Sequence, residues 1–89
     1  MASYLLVRAK VQNFESWKKA YDAHLSVRQE YGLAEERVLR GAEDPNDVVL
    51  LFKASSLDRA KAFMTNPAVG EVIQKSGVVG KPDVAFLNS

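Results

Sequence analysis

The amino-acid sequence predicts an α+β fold with its elements in the order strand, helix, strand, strand, helix, strand. Two observations lead to this prediction. Short apolar stretches with strand character alternate with two longer stretches in which apolar residues recur at helical spacing. Residues typical of turns separate these stretches, and the clearest turn is Asp44-Pro45-Asn46-Asp47. That turn predicts a hairpin between the second and third strands.

The four predicted strands differ in character. Residues 4–11 alternate between apolar and polar faces, which is typical of a strand with one buried face. Residues 33–42 are rich in charge and suit the edge of a sheet, where charge discourages unwanted pairing. Residues 83–87 form the last predicted strand, after a predicted loop over residues 77–82.

The third predicted strand, residues 48–52, is apolar without interruption. A continuous apolar run is typical of a strand that is buried on both faces. One layer of helices covers only one face of a sheet, so something else has to cover the other. A second copy of the chain is the simplest way to bury the other face. The sequence therefore predicts a homodimer through the face of the sheet.

The first helix is predicted to run without a break over residues 13–31. Asn13 is a favourable N-cap, and Gly32 can take the left-handed conformation that often ends a helix. The stretch is amphipathic, and its apolar face carries Phe14, Trp17, Tyr21 and Leu25. His24 and Arg28 fall on or beside the same face.

The second helical segment is predicted over residues 56–76. Ser56 is a suitable cap at its start. Asn66 and Pro67 interrupt it, because proline cannot continue a helix interior cheaply. Asparagine as the cap and proline at the first helical position begin a new helix well. The sequence thus predicts either two short helices or one kinked helix here.

With right-handed crossovers, this order of elements folds as a ferredoxin-like βαββαβ sandwich, a four-stranded antiparallel sheet with helices on one face. We expect residues 1–89 to form a single domain of this kind. A domain of this length buries only roughly 60–65% of its unfolded surface, so dimerisation would add stability.

Composition excludes several classes of function. The net charge is +1, from 12 basic and 11 acidic residues, so the excess of positive charge that binds nucleic acid or anionic membranes is absent. There is no cysteine, which excludes disulfides and suits a cytoplasmic protein. We expect neither a signal peptide nor a membrane span, which needs roughly 20 apolar residues.

No cofactor and no metal is expected. A metal would have to bind the single histidine and scattered carboxylates, and the adjacent Glu35 and Glu36 point to opposite faces of a strand. The charges around them are expected to be solvated surface. A Gly-x-Ser-x-Gly nucleophile turn and the glycine-rich phosphate loops are also absent from the sequence.

Three stretches carry a resemblance to a known group of proteins. They are the Val-x-Asn-Phe-x-x-Trp segment of residues 11–17 leading to Tyr21, the hairpin into residues 48–52, and residues 58–78 with their central Asn66-Pro67. Together they resemble the dimeric α/β-barrel superfamily, and within it the antibiotic-biosynthesis-monooxygenase-like group. The resemblance implies that the sheets of two subunits pack face to face, and that each subunit holds a pocket between its sheet and its helices.

The resemblance leaves the activity open. Members of the superfamily include cofactor-free monooxygenases of polycyclic phenols, haem-degrading enzymes, and small isomerases and cyclases, so the fold alone does not choose among them. Haem degradation is not predicted. The haem-degrading members use a tryptophan and a histidine on or near the second helical segment, and residues 57–76 contain neither.

The candidate site lies on the first helix. On a helical wheel Trp17, Tyr21 and Arg28 fall within about 40° of one another, with Phe14 and His24 beside them. Trp17 and Tyr21 would offer flat apolar surfaces to a small hydrophobic or aromatic ligand. His24 would act as a general base, and Arg28 would hold an oxyanion. These roles suit proton abstraction from an acidic carbon or phenol, followed by reaction with oxygen or ring closure.

Phe63 and Met64 would complete the ligand-binding wall, together with Val72 and Phe86. A plainer interpretation stands beside this hypothesis, in which the aromatic stripe is ordinary core and Arg28 complements the helix dipole. Taken with the resemblance, these residues suggest a cofactor-independent monooxygenase or isomerase/cyclase that acts on a small aromatic or polyketide-like molecule. The alternatives are a non-catalytic binding or sensing protein, and a structural dimer without a pocket.

Overall fold

The structure, a computed structural model, describes residues 2–89. The elements, in chain order, are β1 (Ser3–Val11), α1 (Phe14–Ala23), α2 (Leu25–Glu30), β2 (Leu33–Arg40), β3 (Asp47–Ala54), α3 (Leu57–Thr65), α4 (Pro67–Lys75) and β4 (Val78–Asn88). The strands form one antiparallel sheet in the order β2-β3-β1-β4. The helices pack on one face of the sheet, which confirms the predicted ferredoxin-like sandwich.

The core lies between the sheet and the helices. β1 is a central strand, and Leu5, on its helix-facing side, is fully buried. Val48 and Phe52 of β3 are buried on the same side and contact the same core. The alternation predicted for the first strand is confirmed, because successive side chains of a strand point to opposite faces.

The other face of the sheet is open, and an apolar patch on it lies beside charged residues such as Arg8 and Asp47. Leu6 of β1 pairs with Leu51 of β3 and with Ala85 of β4, and these three side chains are only partly buried. On the same face Leu39 and Val79 are 51% and 53% exposed. Exposed apolar patches of this kind are often sites of contact with another molecule.

The first helical segment is two helices, not the single helix predicted over residues 13–31. α1 and α2 are separated by His24, whose backbone is not helical (φ −105°, ψ 19°). A buried side chain accounts for the break. Nη1 of Arg28 donates to the carbonyl oxygen of Tyr21 at 2.6 Å, an acceptor that an unbroken helix would pair with the amide of Leu25.

Leu25 and Arg28, which the sequence placed on or beside the same helix face, lie in different environments. Leu25, predicted on the apolar face, is 49% exposed, and Arg28 is buried at 6% exposure. Hydrophobicity alone would bury Leu25 and expose Arg28, so the burial of Arg28 is a specific feature of this fold.

The second helical segment is the pair of short helices that was one of the two predicted forms. Asn66 ends α3 and caps α4, its Oδ1 accepting from the amide of Ala68 at 2.9 Å. Pro67 takes the first helical position, where its missing amide costs nothing. Within residues 2–89, no helix combines the length and apolar character that crossing a membrane requires.

The loop predicted over residues 77–82 is mostly strand. β4 begins at Val78, which pairs with Val11, and Val79 pairs with Lys10 before the register shifts. Gly80 has a φ of 72°, a conformation open to glycine that lets the strand continue through this irregularity. Gly80, which lies in the predicted loop, is therefore the residue that permits a bulge in the strand.

Candidate functional site

A cavity of about 330 Å³ lies between the sheet and the helices. Val7, Val48 and Phe52 form its sheet side, and residues of all four helices form its walls. Pockets that hold small organic molecules have volumes of about 300–1,000 Å³ and mostly apolar linings with few polar groups. The cavity meets both conditions, so it is the candidate site.

Six of the seven predicted site residues line this cavity, namely Trp17, Tyr21, His24, Arg28, Phe63 and Met64. Val72 lines it as well. Phe14 does not, and packs instead beside the guanidinium of Arg40, with 3.8 Å between Cζ and the ring centroid. Phe86 also lies outside the cavity lining and is 36% exposed on β4.

Trp17 and Tyr21 form a continuous aromatic wall. They are one helical turn apart on α1, and their rings stack with 4.9 Å between centroids. The Tyr21 ring continues the stack to Phe52 of β3, at 6.4 Å. This wall offers a flat apolar surface of the kind that an aromatic ligand contacts well.

Within residues 2–89, Arg28 is a buried cation without a carboxylate partner. Its Cζ lies 3.7 Å from the ring centroid of Tyr21, and its Nη1 binds the Tyr21 carbonyl oxygen. None of the ion pairs in residues 2–89 includes it. A guanidinium carries five N–H donors, and Arg28 lines the cavity, so donors remain for a ligand there. A buried charge without an ion-pair partner is costly, so Arg28 is the group in this lining that suits an anionic or strongly accepting ligand.

Tyr21 stays protonated and serves as wall rather than as base. Its hydroxyl donates to Oε1 of Glu35 on β2 at 2.8 Å. Burial raises the pKa of the Tyr21 phenol well above its usual range, and the hydrogen bond to Glu35 raises it further. The sequence predicted Glu35 as solvated surface, because a contact between residues 14 apart leaves no local pattern.

We expect Tyr21→Phe to reduce the loss of stability at alkaline pH. Tyr21 holds its proton more tightly in the folded state than in the unfolded chain, where the pKa is about 10. Its contribution is fully present below that pH and is lost as the pH rises toward the raised value. Urea unfolding at about pH 8 and about pH 10.5 measures the difference. Tyr4→Phe is the control, and an equal alkaline loss in both variants would contradict the assignment.

His24 occupies the break between α1 and α2 and lines the cavity. Its carbonyl oxygen accepts from the amide of Arg28 at 3.2 Å, so its backbone is held by α2. Its imidazole makes no capping hydrogen bond and pairs with no carboxylate in residues 2–89.

The cavity has polar residues that the sequence did not single out as ligand contacts. Glu30, Tyr31, Asn66 and Ser76 line it. Nδ2 of Asn66 donates to Oη of Tyr31 at 2.8 Å, across a separation of 35 residues. Only the packing of α2 against the α3–α4 junction brings these two side chains together, so no sequence spacing reveals them. In the part of the chain that the structure describes, no group of three His, Cys, Asp or Glu residues is placed to hold a metal.

No model of a protein family matches the sequence, and no curated protein matches it. Solved structures do match the fold. A candidate antibiotic biosynthesis monooxygenase from Bordetella bronchiseptica superposes with a TM-score of 0.78 at 13% identity, over 99% of this chain and 96% of that one. SnoaB, a cofactor-independent oxygenase from Streptomyces nogalater, superposes with a TM-score of 0.75 at 10% identity, over 99% and 92%. The chain has the same ferredoxin-like fold as these two proteins.

The resemblance noted in the sequence is thereby confirmed at the level of the fold. A third structure, a candidate antibiotic biosynthesis monooxygenase from Nitrosomonas europaea, agrees, with a TM-score of 0.72 at 15% identity over 99% of this chain and 89% of that one. At such identities the likeness concerns the antibiotic-biosynthesis-monooxygenase-like fold alone. The chemistry of the cavity follows from its own residues.

Proposed function

We propose that the chain is a cofactor-independent monooxygenase that acts on a small aromatic or polyketide-like molecule in the cavity. The observation that carries the proposal is the buried Arg28, which pairs with no carboxylate in the described part of the chain and lines a cavity with an aromatic wall. This combination suits a flat molecule that becomes an anion during the reaction, since a preorganised cation stabilises developing negative charge. The fold shared with SnoaB, a cofactor-independent oxygenase, supports it.

The residues divide the reaction between them. Trp17 and Tyr21 hold the flat ring, His24 removes a proton from an acidic carbon or phenol, and Arg28 stabilises the resulting anion. The electron-rich anion then reacts with molecular oxygen. Overall a ring CH₂ becomes a carbonyl, one O₂ is consumed, one of its oxygen atoms enters the product, and the other leaves as water. Isomerisation or ring closure would share the proton abstraction and omit the oxygen.

A non-catalytic binding or sensing protein is the second candidate. The observation that favours it is the imidazole of His24, which no carboxylate orients in residues 2–89. General bases of known enzymes are commonly held by a third group. A cavity that only binds its ligand needs no such group.

Turnover of 1,8-dihydroxyanthrone, a tricyclic phenol with an acidic CH₂, tests the proposal. We expect the protein to accelerate oxygen uptake and quinone formation above the rate in buffer. We expect His24→Ala to lower the rate at least about 100-fold, the usual contribution of a general base, with affinity for the probe retained. Gln29→Ala, an exposed change on α2, is the control and should leave the rate unchanged.

The outcomes separate the two candidates. If the unmodified protein binds the probe without turning it over, the result would support a binding or sensing function and contradict the proposed enzyme activity. Absence of both binding and turnover would count against each of them for this class of molecule. A rate that is the same in His24→Ala would remove the histidine from the mechanism.

We also propose that the chain forms a homodimer through the open face of the sheet. Leu6, Leu51 and Ala85 lie side by side on three adjacent strands of that face, and all are partly exposed. Two copies of one apolar patch meet readily about a two-fold axis, because each patch complements itself. Such a contact leaves the cavity of each subunit on the opposite, helical side of its sheet.

A further inference from the structure

Three residues where α2 meets the α3–α4 junction form a directed chain of hydrogen bonds. The amide of Ala68 donates to Oδ1 of Asn66 at 2.9 Å. A backbone N–H can only donate, so this contact settles which atom of the Asn66 side chain is the oxygen. The other atom, Nδ2, donates to Oη of Tyr31 at 2.8 Å. The direction of the chain is therefore set by the cap of α4.

The hydroxyl of Tyr31 accepts from Asn66 and keeps its own proton for another partner. Tyr31 and Asn66 both line the cavity. The ring of Tyr31 is held edge-on against Phe63, with 5.4 Å between centroids and 68° between the ring planes. We propose that Tyr31 is a ligand-binding residue that donates this proton to an oxygen of the bound molecule.

Arg28 provides a second donor on the same helix face. It precedes Tyr31 by three residues, a spacing that places side chains on one face, and the Tyr31 amide bonds to its carbonyl oxygen at 3.1 Å. The hydroxyl proton of Tyr21, by contrast, is already given to Glu35. Arg28 and Tyr31 thus select a ligand with acceptor oxygens on this side, such as a carboxylate, a phenolate or a ring carbonyl. The inference rests on the proposed function only in placing the ligand in the cavity.

Binding of three naphthalene probes measures the contribution of Tyr31. The probes are 2-naphthoate, neutral 2-acetylnaphthalene and naphthalene itself, which has no acceptor. The single tryptophan of the chain lines the cavity, so its indole ¹H–¹⁵N resonance reports occupancy. Tyr31→Phe keeps the ring and removes the proton. We expect it to weaken 2-naphthoate about tenfold or more, 2-acetylnaphthalene about three- to tenfold, and naphthalene less than about twofold.

Asn66→Asp tests the direction of the hydrogen bonds. Aspartate caps a helix as well as asparagine does, but its carboxylate accepts and cannot donate. The hydroxyl of Tyr31 would then give its proton to that carboxylate instead of to the ligand. We expect the variant to weaken 2-acetylnaphthalene as much as Tyr31→Phe does, and the double variant to bind no more weakly than either single variant. If adding Asn66→Asp to Tyr31→Phe weakened the binding of 2-acetylnaphthalene further, the aspartate would act through its charge alone. That result would contradict the directed chain of hydrogen bonds.

The remaining outcomes separate this inference from the proposed function. If the probes shift the indole resonance of Trp17 but bind the Tyr31→Phe variant as tightly as the unmodified protein, the role of Tyr31 is wrong and the cavity remains a ligand site. If none of the probes shifts that resonance at millimolar concentration, the cavity is not a site for such ligands. That second result would overturn the inference and the proposed function together.

Discussion

Arg28→Met is expected to weaken the binding of 2-naphthoate at least about a hundredfold while leaving the protein at least as stable as the unmodified chain. Hydrogen bonds to a charged group contribute about 1.5–3 kcal/mol each, and two of them give a loss of this size. Stability should not fall, because a buried charge without a counter-charge costs folding free energy. The Tyr21 carbonyl oxygen would keep the amide of His24, now at 3.2 Å, as a donor.

The same titrations and a thermal unfolding curve measure both parts of this result. Arg59→Met is the matched control, since Arg59 is exposed on α3 and lies outside the cavity lining. Naphthalene should bind Arg28→Met as tightly as it binds the unmodified protein. An equal loss for naphthalene and 2-naphthoate would show that Arg28 only packs the cavity wall. A fall of several degrees in the unfolding temperature would show that its contacts to Tyr21 outweigh the cost of its burial.

Leu51→Lys is expected to convert the proposed homodimer into monomers at micromolar concentration. Leu51 lies on a central strand of the open sheet face, between Leu6 of β1 and Arg37 of β2. A two-fold contact through this face would bury the introduced ammonium group of each copy, and an unpaired buried charge costs several kcal/mol. In the monomer the lysine head group reaches water, so the fold should persist.

Sedimentation velocity at several protein concentrations measures the change, with circular dichroism to confirm folding. Leu25→Lys is the matched control, because Leu25 is 49% exposed on the helical side of the molecule. It should sediment as the unmodified protein does. A monomeric unmodified protein, or a Leu51→Lys variant that remains dimeric, would rule out the sheet face as the interface.

Local patterns predicted much of this fold correctly because local physics determines it. The caps at Asn13, Ser56 and Asn66 all accept hydrogen bonds from amides of the helices that they begin. The one-turn spacing of Trp17 and Tyr21 placed both in the cavity wall, because a helical period is preserved within α1. Each of these features depends on residues within one or two turns of one another.

The errors have a common cause in contacts between distant or unusual partners. The helix breaks at His24 because the side chain of Arg28, rather than a backbone amide, donates to the carbonyl oxygen of Tyr21. Helix propensities do not include a contact of this kind. The partner of the Tyr21 hydroxyl, Glu35, lies on another element, and so does Asn66, the partner of Tyr31. Polar contacts of this kind form only when the elements pack together. The aromatic wall could therefore be predicted from the sequence, but the hydrogen bonds of the cavity residues could not.

The central claim is that a small aromatic anion binds between the sheet and the helices. Intermolecular nuclear Overhauser effects between 2-naphthoate and the ¹³C-labelled protein test it most directly. We expect contacts from the naphthalene ring to Trp17 on α1, to Val48 on β3 and to Val69 on α4, three residues that line the cavity from different elements. Contacts confined to residues of the open sheet face, such as Leu51 and Leu87, would contradict it.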